Sequence, residues 1–273
     1  MKKSHALLGL AAAAAAVAVP VLLSAPGRAK KTQKSPFEGR NFAHRGLHSE
    51  DKSVPENSME AFRQARDEGY GIELDVQLSK DGQVLVFHDD TLHRVCGVPS
   101  RVDEKDYAQL KEMPLLRTEE RIPLFAEVLK ELDGSVPLIV ELKNGRRNKE
   151  LCEKTYALLS GYKGDYCIES FNPLIVGWFR KNAKEVLRGQ LATTYADYEG
   201  IKKPLALLLS RCLLNVVSRP QFIAYRIGPR PLTVRLSEAM GAMKIGFTSR
   251  VEENEIGRDA VIFEFYRPRI KYK

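Results

Sequence analysis

From Asn41 onward two hydrophobic periods alternate along the chain. Short runs of period two, or of unbroken apolar character, read as strands; longer runs of period near 3.6 read as helices. "SMEAFRQARDEG" places Met59, Phe62 and Ala65 on one helical face, with Asn57 or Ser58 as N-cap and Gly69 as stop. "GIELDVQL" reads as a strand, Asp81-Gly82 as a two-residue turn, and "QVLVF" as the return limb of a hairpin. Helical patterns follow in "PLFAEVLKELDG", "KELCEKTYALLSGY", "PLIVGWFRKNA", "LALLLSRCLLNVV", "PLTVRLSEAMG" and the short "EENEIGRD". With the return limb counted as an extension, eight strands are expected: NFAH, IELDVQL, PLIVELK, YCIESF, RGQLA, FIAY, KIGFT and VIFEF. Strands separated by crossover helices pair in parallel. Eight such units in about 230 residues predict a TIM-type (β/α)8 barrel over residues 41–273, with a doubly wound open sheet as the alternative.

The first 40 residues carry a different pattern. Residues 6–26, "ALLGLAAAAAAVAVPVLLSAP", are uncharged, and about 20 apolar residues suffice to span a bilayer. Residues 1–26 are therefore expected to form a membrane anchor, with a cleaved signal peptide as the alternative. The basic run after this segment outweighs Lys2 and Lys3 before it. That asymmetry places the remaining chain on the cytoplasmic side; a secreted or extracytoplasmic domain is the alternative. Residues 27–40, "GRAKKTQKSPFEGR", are basic, polar and without an apolar period, and read as a linker. The net charge of +8 is partly concentrated there and in the closing "IKYK". No aromatic-basic stripe accompanies it, which argues for a solvated or membrane-facing surface and against nucleic-acid binding. Cys96, Cys152, Cys167 and Cys212 form no CxxC pair, so a zinc site is not expected and free thiols are.

The chemistry concentrates at strand ends, where barrel enzymes build their active sites. Glu73 and Asp75 alternate with Ile72, Leu74 and Val76. If those aliphatics lie under helices, both acids face the barrel axis. Glu141 and Lys143 repeat the i, i+2 spacing in "VELKN"; His44 and Arg45 close the first strand, and His88 closes the hairpin return. Three carboxylates converging in a partly dry site repel one another and resist ionisation. A hard divalent cation, calcium or magnesium, would relieve this, with Glu73, Asp75 and Glu141 as ligands. His44 and His88 can then divide general base and general acid work, with His44 the favoured base. Arg45 and Lys143 supply positive charge for an anionic substrate, and together these parts suit metal-assisted displacement at phosphorus. His48, His93, Asp89 and Asp90 read as turn residues, Glu264 as a structural acid, and Trp178 as core.

The stretch "AHRGLHSEDKSVPENSMEAFRQARDEGYGIELDVQLSKDGQVLVFHDDTLHRVCG" resembles the glycerophosphodiester phosphodiesterase family, with its spaced HRG, PENS, ELDV, KDG and HD motifs. "VELK", "ESFNP" and "FTSRVEENE" extend the likeness over roughly residues 41–268. The resemblance implies a metal-dependent β/α barrel that hydrolyses glycerophosphodiesters to glycerol 3-phosphate and an alcohol. It implies the same metal, acid–base and phosphate-binding residues, with Glu56 and Asn57 shaping the rim. Phe247 stands where the family often has tryptophan, which affects the glycerol-side wall. Two further readings compete: action on lysophospholipids at a membrane, and a non-catalytic barrel that binds phosphodiesters.

Overall fold

The computed structural model describes residues 18–273. Its centre is a closed ring of parallel strands. β1 (Arg40–His44), β2 (Gly71–Leu78), β4 (Leu138–Leu142), β5 (Tyr166–Ser170), β6 (Leu187–Ala192), β7 (Phe222–Arg226), β8 (Met243–Ser249) and β9 (Ala260–Phe263) follow one another, and β1 pairs with both β9 and β2. This is the expected barrel. The hairpin return is β3 (Val84–Val86), antiparallel to β2. β1 ends where His44 faces Glu73, and β3 takes up the vacated edge of β2 from Val76 onward. Phe87 N donates to Asp75 O at 3.0 Å, so the hairpin delivers His88 beside the acids of β2.

Strand alternation sorts the core into two layers. Ile72, Leu74, Val76, Leu138, Val140, Leu142 and Ile168 point outward and pack under helices Met59–Asp67, Phe125–Leu132, Asn148–Leu159 and Pro173–Asn182. Phe42, Ile139, Cys167, Phe222, Ala224, Ile245 and Ile262 point inward and fill the lower barrel. Gly189 makes room for this filling, since a Cβ there would overlap the Phe222 ring. Residues 85–122 form a satellite core around Leu85, Phe87, Val102, Leu110 and Ile122, beside the hairpin return. Trp178 is half-buried against Tyr156 and Phe179.

The expected anchor lies outside the described residues over 1–17. Its remaining residues 18–24 are helical, and among the described residues no helix is long and apolar enough to cross a membrane. Residues 27–40, expected as a linker, lie against the floor of the barrel. Gly27 N donates to Pro220 O (2.9 Å), Gln221 Nε2 to Arg28 O (2.8 Å), and Phe37 is buried with its ring stacked on Phe42. One aromatic anchor and backbone hydrogen bonds suffice to dock a segment with no apolar period. Finally, the single helix expected over "LALLLSRCLLNVV" is two helices, Lys203–Ser210 and Asn215–Ser218, because Cys212 adopts a left-handed conformation (φ 52°) between them.

Candidate active site

Adjacent parallel strands bring the acids into register: Asp75 faces Glu141 and Glu141 faces Glu169 across β2, β4 and β5. Glu73, Asp75 and Glu141 are buried, and each offers an oxygen within 4.8 Å of the others. Burial first, then repulsion from Asp75 and Glu141, drives the Glu73 carboxyl well above its ordinary range. Burial likewise raises Glu141, against the attraction of Lys143. Asp75 goes the other way: burial opposes its charge, but Lys143, His88 and Arg45 outweigh burial and keep it ionised. Asp75 Oδ1 accepts no hydrogen bond despite its burial. A buried carboxylate oxygen without a hydrogen-bond donor, its cationic neighbour being Lys143 Nζ at 3.4 Å, fits a hard divalent cation when it lies within an all-oxygen cluster. The predicted ligand set could therefore hold a metal.

The two histidines lie on either side of this cluster, and each is oriented by a carboxylate. His44 Nδ1 is 2.9 Å from Glu264 Oε2, and its Nε2 is 4.0 Å from Glu73 Oε2. Donation of Nδ1–H to Glu264 leaves Nε2 free to take a proton. Burial lowers the His44 imidazole to about 4, even against the hydrogen bond to Glu264, so the ring is neutral near pH 7. His88 Nδ1 is 2.6 Å from Asp89 Oδ1, and Arg94 Nε holds the other oxygen of Asp89 at 2.6 Å. Gln77 Nε2 donates to Phe87 O (2.7 Å) and Asp89 O (3.0 Å), fixing the backbone that carries His88.

The cations and the rim residues are held as tightly. Arg45 has a left-handed backbone (φ 53°), which aims its N–H at Glu73 Oε2 (3.1 Å). For a non-glycine residue that conformation is uncommon and gathers at functional sites. Its guanidinium reaches Glu56 Oε1 (2.7 Å) and Asp75 Oδ2 (3.5 Å). Lys143 Nζ sits 3.0 Å from Glu141 and 3.4 Å from Asp75. Asn57 Nδ2 donates to Asp75 Oδ2 at 2.9 Å. All seven residues expected to bind or react, His44, Arg45, Glu73, Asp75, His88, Glu141 and Lys143, thus belong to one cluster of contacts or register neighbours at one end of the barrel.

Sequence reasoning misassigned or passed over three carboxylates. Glu264, read as structural, orients His44; Asp89, read as a turn acid, orients His88. Glu169, given no role, is buried beside the cluster, and burial followed by repulsion from Glu73 and Glu141 drives its carboxyl well above the usual range. The available signal was the strand-end position of Glu169 and Glu264, the same signal that located Glu141. His48 follows the turn at residues 45–47, and its Nε2 lies 3.7 Å from Glu264 while its ring packs edge-on against Phe265. His93 is exposed and takes no part.

Fold and site together define a TIM-type barrel with an acidic, histidine-flanked centre at the strand ends. The chain matches the glycerophosphoryl diester phosphodiesterase family over residues 44–249, and it belongs to that family. A glycerophosphodiester phosphodiesterase of Bacillus altitudinis is 41% identical over 112 residues, covering 38% of this chain and 44% of the relative. A lysophospholipase D of Rattus norvegicus is 33% identical over 159 residues, covering 54% of this chain and 49% of the relative. The matched stretch thus spans about half the length of these relatives. The same fold occurs in an Oleispira antarctica phosphodiesterase solved with its product sn-glycerol-3-phosphate (TM-score 0.67, 22% identity, 83% of this chain and 93% of that one). It also occurs in the Thermotoga maritima glycerophosphodiester phosphodiesterase (TM-score 0.63, 24% identity, 82% and 93%).

Proposed function

We propose that this chain hydrolyses glycerophosphodiesters to glycerol 3-phosphate and an alcohol. The observation that carries this reading is the buried Glu73–Asp75–Glu141 cluster with a carboxylate-oriented histidine on each side. A calcium or magnesium ion held by the three acids would supply positive charge to the phosphate oxygens and to the attacking oxygen. Arg45 and Lys143 add charge to the same phosphate, and their acid partners keep both side chains in place before substrate arrives. His44, neutral and with Nε2 free, takes the proton of the attacking water as its oxygen bonds to phosphorus. The bond from phosphorus to the head-group oxygen breaks, and His88 delivers a proton to that oxygen through the ring nitrogen not held by Asp89. Glu264 and Asp89 stabilise whichever imidazole becomes positive.

The test is turnover of glycerophosphocholine by purified protein, titrated with calcium or magnesium after verified chelation. Turnover should require the cation. His44→Ala and His88→Ala should each lower turnover by about 10²–10⁴-fold with the fold retained. The His88 variant should be partly spared on a nitrophenyl phosphodiester, whose leaving group needs no proton. Full activity in metal-stripped protein would refute the metal assignment.

A further inference from the structure

His44 turns one ring nitrogen toward the acids and the other toward a second group of metal-ligating side chains. His44, His48 and Glu264 each offer one ligand atom, and the three atoms lie within 4.8 Å of one another. Ligands on a tetrahedral zinc ion, with bonds of about 2.0–2.1 Å, stand about 3.3 Å apart. Glu264 Oε2 is 2.9 Å from His44 Nδ1 and 3.7 Å from His48 Nε2, so the two separations fall on either side of that spacing. Arg250 Nε and Nη2 hold Glu264 Oε1 at 3.0 and 2.7 Å, which leaves Oε2 for the two imidazoles. The Arg250 guanidinium also covers the Phe265 ring (5.1 Å), against which His48 packs edge-on.

His48 gives an independent sign of a ligand. Its side chain is 10% exposed, and its buried Nε2 has no hydrogen-bond partner, the 3.7 Å to Glu264 being too long for one. Buried polar nitrogens are nearly always paired, and an orphan calls for an explanation. An open imidazole nitrogen beside a second imidazole and a carboxylate is a donor set for a transition-metal dication. Nitrogen donors suit zinc, whereas calcium and magnesium take oxygen. The two clusters that meet at His44 therefore differ in hardness: oxygen alone at Glu73, Asp75 and Glu141, two nitrogens and one oxygen here.

We propose that His44, His48 and Glu264 form an inhibitory zinc site, in which the ion binds His44 Nδ1, His48 Nε2 and Glu264 Oε2 and takes its fourth ligand from water. This rests on the phosphodiesterase reading above, since it names a regulation of the same site. A metal-bound imidazole is neutral, so with Nδ1 on zinc the one ring proton of His44 resides on Nε2. Nε2 then faces Glu73 Oε2, 4.0 Å away, as a donor, and it cannot accept the proton of the attacking water. A histidine that binds metal through one nitrogen and gives its other N–H to a carboxylate is a common arrangement. The same ion occupies Glu264, which no longer stabilises an imidazolium at His44.

The experiment titrates zinc into the full chain at saturating magnesium and compares it with His48→Gln and His48→Phe. His48 takes no part in the proposed mechanism, and His48→Phe keeps an aromatic ring against Phe265 should glutamine disturb the packing. Calorimetry measures zinc binding, glycerophosphocholine hydrolysis measures turnover, and the NMR shifts of the histidine ring nitrogens report where metal and proton sit. One equivalent of zinc should bind, put the His44 proton on Nε2, and lower turnover by about 10²–10⁴-fold, the loss expected without a base. Zinc-free turnover of both variants should stay at the parental level. Losing an outer partner alone costs a metal site about 10–100-fold in affinity, so losing a ligand should raise the zinc needed for binding and inhibition by at least about 100-fold. Equal zinc affinity in parent and variants overturns the site. Inhibition relieved by more magnesium also overturns it, since zinc would then sit at the acids, and so does zinc bound through His48 without loss of turnover. If zinc-free protein with magnesium does not turn over glycerophosphocholine, the phosphodiesterase reading falls. Calorimetry and the ring shifts then decide the zinc site: an equivalent bound in the parent and lost in the variants sustains it, and its absence overturns it.

Discussion

Glu264→Gln tests the least expected part of the site. Glu264 is 11% exposed, and its Oε2 lies 2.9 Å from His44 Nδ1. Glutamine keeps the shape and can keep a hydrogen bond, but it removes the charge that would stabilise the imidazolium. A hydrogen bond to a charged partner contributes about 1.5–3 kcal/mol, which corresponds to about 10–100-fold in rate. That is less than the loss expected for His44→Ala, because glutamine leaves the ring in position. Glu264 also raises the basicity of His44 against the larger effect of burial, which holds the ring at about 4. Removing the charge lowers it further. A base works when unprotonated, so the acid limb of the pH–rate profile should move to lower pH while the plateau falls. The assay is kcat at saturating cation across pH, with cation affinity measured in parallel. Arg250→Ala is the control: Arg250 holds Glu264 at 2.7 Å but is 65% exposed, and such pairs contribute about 0–1 kcal/mol. Parental kcat in Glu264→Gln, or an equal loss in Arg250→Ala, would refute the assignment of Glu264 as the group that holds His44.

Further outcomes follow from the same geometry. Asp75→Asn and Glu73→Gln should abolish cation binding with the barrel intact, since less repulsion remains; parental affinity by titration in either would remove these residues from the ligand set. Glu56 is held down to about 2, burial being outweighed by its bonds to Arg94 and Arg45. The stability it contributes is fully present above its ordinary pKa of 4.5 and is lost as pH falls through about 2. Glu56→Gln should flatten the dependence of melting temperature on pH within that window, and an unchanged slope would count against the network. Phe37→Ala should cost about 3 kcal/mol in urea unfolding, because the ring is 2% exposed at the barrel floor; a change below about 0.5 kcal/mol would show that the N-terminal segment does not seal the barrel. A membrane tether through residues 1–26, the expectation from their composition, predicts that the full chain sediments with membranes and that a chain starting at residue 18 does not.

Much of this site could be read from the sequence because a strand has a strict period. Glu73 and Asp75 had to share a face, and Ile72, Leu74 and Val76 had to claim the other, so the acids could only look inward. Composition shaped the metal expectation in the same way: a cluster of oxygen donors without cysteine suits a hard cation. What stayed hidden depends on closure. Glu264 meets His44 across 220 residues of chain, and that meeting exists only because β9 pairs with β1 to shut the ring. Asp89 looked like a turn acid because the turn and the site coincide; the hairpin was legible at Asp81-Gly82, but nothing local reveals that β3 takes the edge of β2 that β1 vacates. The orientation of helix Lys203–Ser210 was hidden for a different reason. A helical stretch rich in leucine reads as a barrel cover, and which face it buries is decided by whether the strand layer beneath accepts large or small side chains. Here Ala206 and Ser210 are the buried residues of the helix, and Leu205 and Leu207 stay exposed.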